Sequence, residues 1–320
     1  MKLLYKRKSR TFAASAFAVS CLVLAWGINA NVARADVPAK ISAAQPKESA
    51  ATAVAEAKFN QGLALLKRGR PEDLRQARRL LEEAANTKNP AAEFNLGILH
   101  MNGQGVPKSD KEAAYWFRRA AQKGDAISQF NLAQILQDGN GVPRDYAEAA
   151  KWFREAADQG HVMAAYNLGV LYSKGIGVIK DDAKAASYYQ RAADRGYASA
   201  QHNLGLLYLD GYGVPRDPKR ALALLSSAAK TGHVEAKFSL GHMYKEGDGI
   251  PVDYKRAAEL FQEGAKQGHA PSQGMLGIMY GNGWGVEKDQ GKMIYWIRQA
   301  ASQGNRGALE ALEVLEGKRK

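Results

Sequence analysis

The chain has 320 residues and a formal net charge of +13, from 45 Lys and Arg against 32 Asp and Glu. Its one cysteine is Cys21, which excludes a disulfide framework, a thiolate zinc site and a cysteine nucleophile beyond residue 35. The apolar fraction of 46% and the charged fraction of 24% are ordinary for a folded globular protein.

Residues 1–35 are typical of a secretory signal peptide. Basic residues cluster at positions 2–10, an uncharged apolar run follows over 11–28, and Ala33-Arg34-Ala35 provides a small-x-small cleavage site. We therefore expect cleavage near Ala35 and a periplasmic or secreted mature protein. An uncleaved membrane anchor is the alternative, because the apolar run reaches the lower length limit for a membrane span. The residues that end at Cys21 also weakly match a bacterial lipoprotein box.

Two segments precede the regular part of the chain. Residues 36–54 are rich in Ala, Ser, Lys and Pro and have little periodicity, which favours a flexible leader. Residues 55–90 keep several positions of the repeat described next but lack its glycine loop, so they are interpreted as a degenerate first repeat. Five arginines crowd this segment: Arg68, Arg70, Arg75, Arg78 and Arg79. The cluster indicates a solvated helix face, or alternatively a docking patch for anionic lipid, polysaccharide or an acidic protein.

Residues 91–305 repeat six times with a period of 36 residues and no insertion or deletion. Gly124 and its counterparts recur at this step up to Gly304, and the pair Gly103 and Gly105 recurs up to Gly283 and Gly285. A fixed period in this range predicts a solenoid of stacked helical units. The sequence of residues 306–320 predicts a C-terminal helix that covers the last apolar face, followed by a basic tail.

Each unit is predicted to contain two helices, called helix A and helix B below. The glycine pair ends helix A, since glycine adopts the left-handed conformation that follows many helices. Helix B begins after a residue whose side chain accepts backbone N–H groups. These N-cap positions hold Ser109, Asp145, Asp181, Asp217, Asp253 and Asp289. Glu112 and Glu148 are predicted to complete capping boxes in two units.

The residues of one unit resemble the Sel1-like repeat, a relative of the tetratricopeptide repeat. The similarity lies in Tyr166-Asn167-Leu168-Gly169-x-x-Tyr172, Gly175-x-Gly177-Val178 and Ala192-Ala193-x-x-Gly196. The resemblance implies an all-α fold, a right-handed α/α superhelical solenoid of helix pairs used for protein–protein contacts. Bacterial members include periplasmic regulators of sensor kinases, exopolysaccharide-secretion scaffolds, host-interaction factors and a cysteine-rich group described as penicillin-binding.

One segment resembles the motifs of penicillin-recognising enzymes. Ser227-Ala228-Ala229-Lys230 matches S-x-x-K, and Lys230-Thr231-Gly232 matches K-T-G. The two matches share one lysine, whereas the chemistry needs separate elements that converge on one pocket. We therefore expect a non-enzymatic protein without a cofactor, and a cell-envelope enzyme of the penicillin-binding repeat group is an alternative.

Three histidines occupy one repeat position, His161, His233 and His269. Equivalent positions on stacked helices lie about 8–10 Å apart, too far for two ligands of one metal ion. We therefore expect no metal site and interpret these histidines as residues at the start of helix A.

Two series on helix A are candidates for partner binding. Asparagine recurs at Asn95, Asn131, Asn167 and Asn203 although it is a poor mid-helix residue, so its amides either bind an extended peptide in a groove or hold the repeats together. A second position varies between units, and Gln129, Gln201 and Lys237 there are candidates for partner specificity in the same groove. A tyrosine series at Tyr172, Tyr208, Tyr244 and Tyr280 is interpreted as core.

The sequence thus predicts a periplasmic adaptor whose groove binds a protein or peptide of the cell envelope, in signalling, polysaccharide export or secretion. Nucleic acid is not expected as a partner, because a secreted chain rarely meets it. A membrane-tethered export scaffold is a further alternative. The oligomeric state is left open.

Overall fold

A computed structural model describes residues 50–87 and 89–316, and these residues form fifteen α-helices and no strand. In chain order the helices are α1 (Ala50–Arg68), α2 (Pro71–Ala85), α3 (Pro90–Asn102), α4 (Asp110–Ala121), α5 (Ala126–Asp138), α6 (Tyr146–Asp158), α7 (Val162–Lys174), α8 (Asp182–Ala193), α9 (Ala198–Asp210), α10 (Pro218–Lys230), α11 (Val234–Glu246), α12 (Tyr254–Lys266), α13 (Ala270–Asn282), α14 (Gln290–Ser302) and α15 (Arg306–Leu315). The all-α prediction is confirmed.

The predicted signal peptide, most of the predicted leader and the basic tail lie outside the described residues. The leader was expected to extend to residue 54, but α1 begins at Ala50. Its first turns are rich in alanine, the residue with the highest helix propensity, which accounts for the earlier start. Within the described part of the chain, none of the helices combines the length and apolar character needed to cross a membrane.

The helices pack in sequence, each odd-numbered helix A against the helix B that follows it and each helix B against the next helix A. Small residues allow this close approach. In the third regular unit Gly169 of α7 faces the ring of Tyr189 on α8, and a Cβ at residue 169 would lie 2.7 Å from that ring. Ala192 and Ala193 of α8 are buried on the side that meets the next helix A. The repeated glycine and alanine pair thus set the spacing of the helices.

The two loop glycines have different roles. Gly139 has a φ of 73° and caps α5, where its N–H donates to the carbonyl of Ile135. Gly141 has a φ of 71° and rests on the first turn of α4, so that a Cβ there would lie 2.6 Å from the backbone nitrogen of Lys111. The second glycine therefore holds each loop against helix B of the preceding unit.

Every regular helix B begins as predicted at an N-cap side chain that accepts a backbone N–H. The predicted capping boxes are wrong. The N–H groups of Ser109 and Asp145, which the glutamates would accept, donate to the carbonyls of His100 and Leu136. The carboxylate of Glu148 is therefore available to other side chains.

Candidate functional site

Helix A presents one strip of half-buried polar and apolar side chains between its buried faces. In α5 and α7 this strip consists of half-buried side chains at i, i+4 and i+7, a spacing that places them on one helix face. Its residues are Ile127, Asn131, Gln134, Met163, Asn167 and Val170. We call this surface the helix-A strip. Three apolar and three amide side chains form it, so it offers both packing area and hydrogen bonds.

The four asparagines of the strip position differ in their hydrogen bonds. Asn95 donates from Nδ2 to the carbonyl of Ala91 on its own helix, at 2.7 Å. Asn203 interacts with the neighbouring ring of His202. The side chains of Asn131 and Asn167 form no hydrogen bond within the described residues and are half-buried. These two amides retain donors and acceptors for a ligand.

The variable position of helix A lies on the opposite face of the helix. Gln129 and Asn131 are two residues apart, which separates them by about 200° around the helix axis. The Gln129 side chain is buried, donates from Nε2 to the carbonyl of Ala121 at 3.1 Å, and accepts from Gln159 at 2.8 Å. The expectation that both series line one groove is therefore wrong, because they face different sides of helix A.

The other residues at this position also connect helices. Gln201 and Gln273 each donate to the last turn of the preceding helix B, at 3.3 Å from the carbonyls of Ala193 and Ala265. Lys237 pairs with Glu263 at 2.8 Å. The two glutamines thus bond to carbonyls at the end of helix B that have no partner within the helix, and Lys237 forms an ion pair with a glutamate near a helix B end. Their role in partner specificity stays a prediction.

The Sel1 repeat model matches well over half of the chain, at residues 55–86, 90–125, 126–161, 162–197, 198–233, 234–269 and 270–305. The chain belongs to the Sel1 repeat family. The predicted resemblance is confirmed, and Sel1 repeat proteins are generally scaffolds for protein–protein interactions. A search of curated proteins gave no significant match.

Two solved structures share the Sel1 fold and more than 30% sequence identity. One is a protective antigen of uropathogenic Escherichia coli strains, with 33% identity over 82% of this chain and a TM-score of 0.76. This chain spans only 57% of that protein's length. The other is a Sel1 repeat protein of Oxalobacter formigenes, with 36% identity over 76% of this chain and 96% of the other, and a TM-score of 0.64.

The tyrosine series of the Sel1 repeats lies at the edge of the core. Tyr172 and Tyr208 are buried, whereas Tyr244 and Tyr280 are half-buried. Cations from helix B lie over these rings, as Arg220 does over Tyr208 with its guanidinium carbon 4.3 Å from the ring centroid. Cation–π contact adds a polar component that the core prediction did not include.

The basic cluster of the first Sel1 repeat is partly neutralised. Arg70 pairs with Asp73 at 2.6 Å, and Arg78 pairs with Glu82 at 3.0 Å. The remaining three arginines are exposed and form no ion pair with residues that the structure describes. They are Arg68, Arg75 and Arg79. Their role as a docking patch stays a prediction.

Two of the three histidines at the start of helix A bind backbone N–H groups. His161 and His233 accept from Nδ1 the N–H groups of Ala164 and Ala236, each at 3.2 Å. Burial lowers the pKa of both rings, which keeps Nδ1 an acceptor at neutral pH. Over residues 50–87 and 89–316, no group of three or more His, Cys, Asp or Glu side chains is placed to hold a metal ion.

The residues that match the penicillin-recognising motifs lie at one helix end. Ser227 is half-buried on α10, and Lys230 is exposed as its last residue. The hydroxyl of Thr231 donates to the carbonyl of Ala228 at 2.7 Å, as part of the helix C-terminus. Both matches thus lie in one short stretch of chain at the end of α10.

Proposed function

We propose that this protein is a scaffold of the cell envelope that holds an extended segment of another envelope protein along its helix-A strip. The observation that carries the proposal is the pair Asn131 and Asn167, whose half-buried amides have no hydrogen-bond partner among the described side chains and backbone groups. They occupy equivalent positions in consecutive repeats, so one ligand backbone passing over both meets a repeated pattern of donors and acceptors.

The surrounding side chains support peptide binding at this strip. Ile127 and Met163 precede the asparagines by one turn, and Gln134 and Val170 follow them by three residues. Such a surface offers apolar contacts for side chains and amides for a backbone. The strip lies on helices fixed by buried neighbours, and a preformed surface lowers the ordering cost of binding.

A photo-crosslinking amino acid at position 167 in cells tests this proposal. We expect one dominant protein adduct, identified by mass spectrometry, because the side chain at 167 lies on the helix-A strip. The matched control carries the same amino acid at position 155, where Glu155 is exposed on α6. Adducts from position 155 alone would overturn the proposed binding face.

The envelope location rests on residues 1–35 and has its own test. Mass spectrometry of the mature protein from its native host is expected to find Asp36 as the first residue. An intact leader, or lipid on Cys21, would instead support the membrane-tethered export scaffold.

A further inference from the structure

Side chains of successive B helices meet on the surface of the solenoid, as those of Arg118 on α4 and Glu148 on α6 do. We call the surface between two successive B helices a helix-B valley. The valley between α6 and α8 contains an open cleft of about 360 Å³. Its lining residues are Arg154, Tyr172, Lys184, Ser187, Tyr188 and Arg191.

The repeat allows the same three positions to be compared in all six valleys between regular or first-repeat B helices. The α6–α8 valley has cations at all three, Arg154, Lys184 and Arg191, and every other valley has only one. The corresponding residues are Glu82, Glu112 and Arg119; Arg118, Glu148 and Glu155; Gln190, Arg220 and Ser227; Ser226, Arg256 and Glu263; and Gln262, Lys292 and Gln299. The repeat pattern therefore does not explain the concentration of charge in the α6–α8 valley.

The preceding valley, between α4 and α6, contains a carboxylate at the position that Lys184 holds in the α6–α8 valley. There Arg118 binds the carboxylate of Glu148, with Nη2 at 3.1 and 3.2 Å from its two oxygens. One repeat later Lys184 replaces the glutamate, and Arg154 has no carboxylate within 4 Å among the described residues. The built-in counter-anion of one valley is thus absent from the next.

Tyrosine side chains contact all three cations. Lys184 lies 5.3 Å from the centroid of the Tyr172 ring, and Arg191 lies 5.5 Å from that of Tyr188. The two rings are parallel within 4°, and Arg154 donates to the Tyr172 hydroxyl at 2.8 Å. Ordered side chains lose less entropy when a ligand binds.

Two carboxylates at the margin neutralise part of this charge. Asp158 pairs with Arg191 at 2.9 Å, and Asp181 lies 3.3 Å from the Lys184 ammonium. Asp158 is exposed, so solvent weakens its pairing with Arg191. Arg154 is left without an acidic partner in the described residues.

We propose that the α6–α8 valley binds a phosphate monoester. A phosphate carries about two negative charges and three acceptor oxygens, which suits three separate cations better than a single carboxylate does. The site shares no residue with the helix-A strip and is formed mainly by helix-B side chains, so it is independent of the proposed protein-binding function.

Calorimetric titration of the purified protein at low ionic strength tests the proposal, with glucose 6-phosphate as ligand and glucose as the neutral control. We expect binding of the phosphate ester only. Lys184→Glu reproduces in this valley the arginine–glutamate pair that Arg118 and Glu148 form in the preceding one, and it should weaken binding at least tenfold. Arg154→Gln should weaken it similarly, and Arg118→Gln, in the valley that already contains its own anion, should leave it within twofold.

A second experiment determines whether the phosphate group belongs to a lipid headgroup or to a soluble ester. Sedimentation with phosphatidylcholine vesicles that contain phosphatidic acid indicates a lipid headgroup if Lys184→Glu abolishes it, whereas binding of glucose 6-phosphate alone indicates a soluble ester. The proposal is overturned if the folded wild-type protein binds neither, if Lys184→Glu binds equally well, or if glucuronate binds as tightly as glucose 6-phosphate. Circular dichroism confirms that each variant is folded.

Discussion

At the scale of single residues, the repeat uses glycine for two physical reasons that the sequence alone does not separate. Periodicity identifies the loop glycines, and the first is recognisable as a helix cap. The contact of the second with the preceding helix B depends on how the units stack. Gly141 and Gly124 allow the two effects to be distinguished, because both have positive φ but only a Cβ at Gly141 meets other atoms within 4 Å.

Gly141→Ala should destabilise the protein more than Gly124→Ala. Both substitutions place a Cβ in the left-handed region, at a cost of about 1–2 kcal/mol. Only the first also forces a Cβ against the backbone of Lys111, which adds roughly 1–3 kcal/mol. Urea unfolding of the two variants measures the difference, and equal midpoints would show that the loop does not depend on this contact.

We expect the protein to become less stable at acidic pH because of His202. Burial lowers the pKa of its ring to about 4, and Ser239 lies 3.0 Å from Nε2, with the His233 ring and Glu235 nearby. Because the folded pKa is below the unfolded value near 6.5, stability is full above pH 6.5 and falls as the pH decreases towards 4. The shift corresponds to about 3 kcal/mol.

His202→Phe tests this, since phenylalanine stands at the equivalent position in Phe130 and Phe238. The loss of unfolding free energy between pH 7 and pH 4 should be about 3 kcal/mol smaller in the variant than in the wild type. If the variant loses as much unfolding free energy as the wild type, a group other than His202 causes the pH dependence. Groups remote from residue 202 contribute equally to both proteins, whereas His233 and Glu235 act on the His202 ring and are part of the effect that the comparison measures.

At the scale of helices, the sequence predicts where most regular elements begin and end, because N-caps and glycines mark those places locally. Helix faces are harder to predict from the sequence. The repeat pattern places Gln129 and Asn131 in one groove, although residues two apart on a helix point in different directions. The contacts of Gln129 with Ala121 and Gln159 show the correct side. Charge in the α6–α8 valley was also missed, since its three cations belong to two helices far apart in sequence.

Two leucines of the last helix provide a matched pair of variants that tests whether α15 caps the core. Leu312 of α15 packs against the cluster of Met293 and Ile297, whereas Leu309 is 45% exposed. Leu312→Asp should lower the unfolding free energy by about 2 kcal/mol through lost apolar burial, and Leu309→Asp should change it little. Thermal melting of both variants checks this, and equal effects would contradict the capping role of α15.

At the scale of the whole molecule, each Sel1 repeat is supported chiefly by its neighbours, as expected for a solenoid. The regular backbone then presents two kinds of surface, the helix-A strip and the helix-B valleys. The sequence identifies the family and its general scaffold function. The identity of the bound segment depends on side chains that vary between repeats and on proteins outside this chain.

The central claim is that Asn131 and Asn167 bind a partner directly. The most direct test is fluorescence anisotropy with a synthetic peptide of the segment captured by crosslinking. The double variant Asn131→Ala, Asn167→Ala should bind about thirtyfold more weakly, from roughly 1 kcal/mol for each lost hydrogen bond. Asn95→Ala should bind like the wild type, because Asn95 already bonds to its own helix. Equal affinity of the double variant and the wild type would contradict the claim.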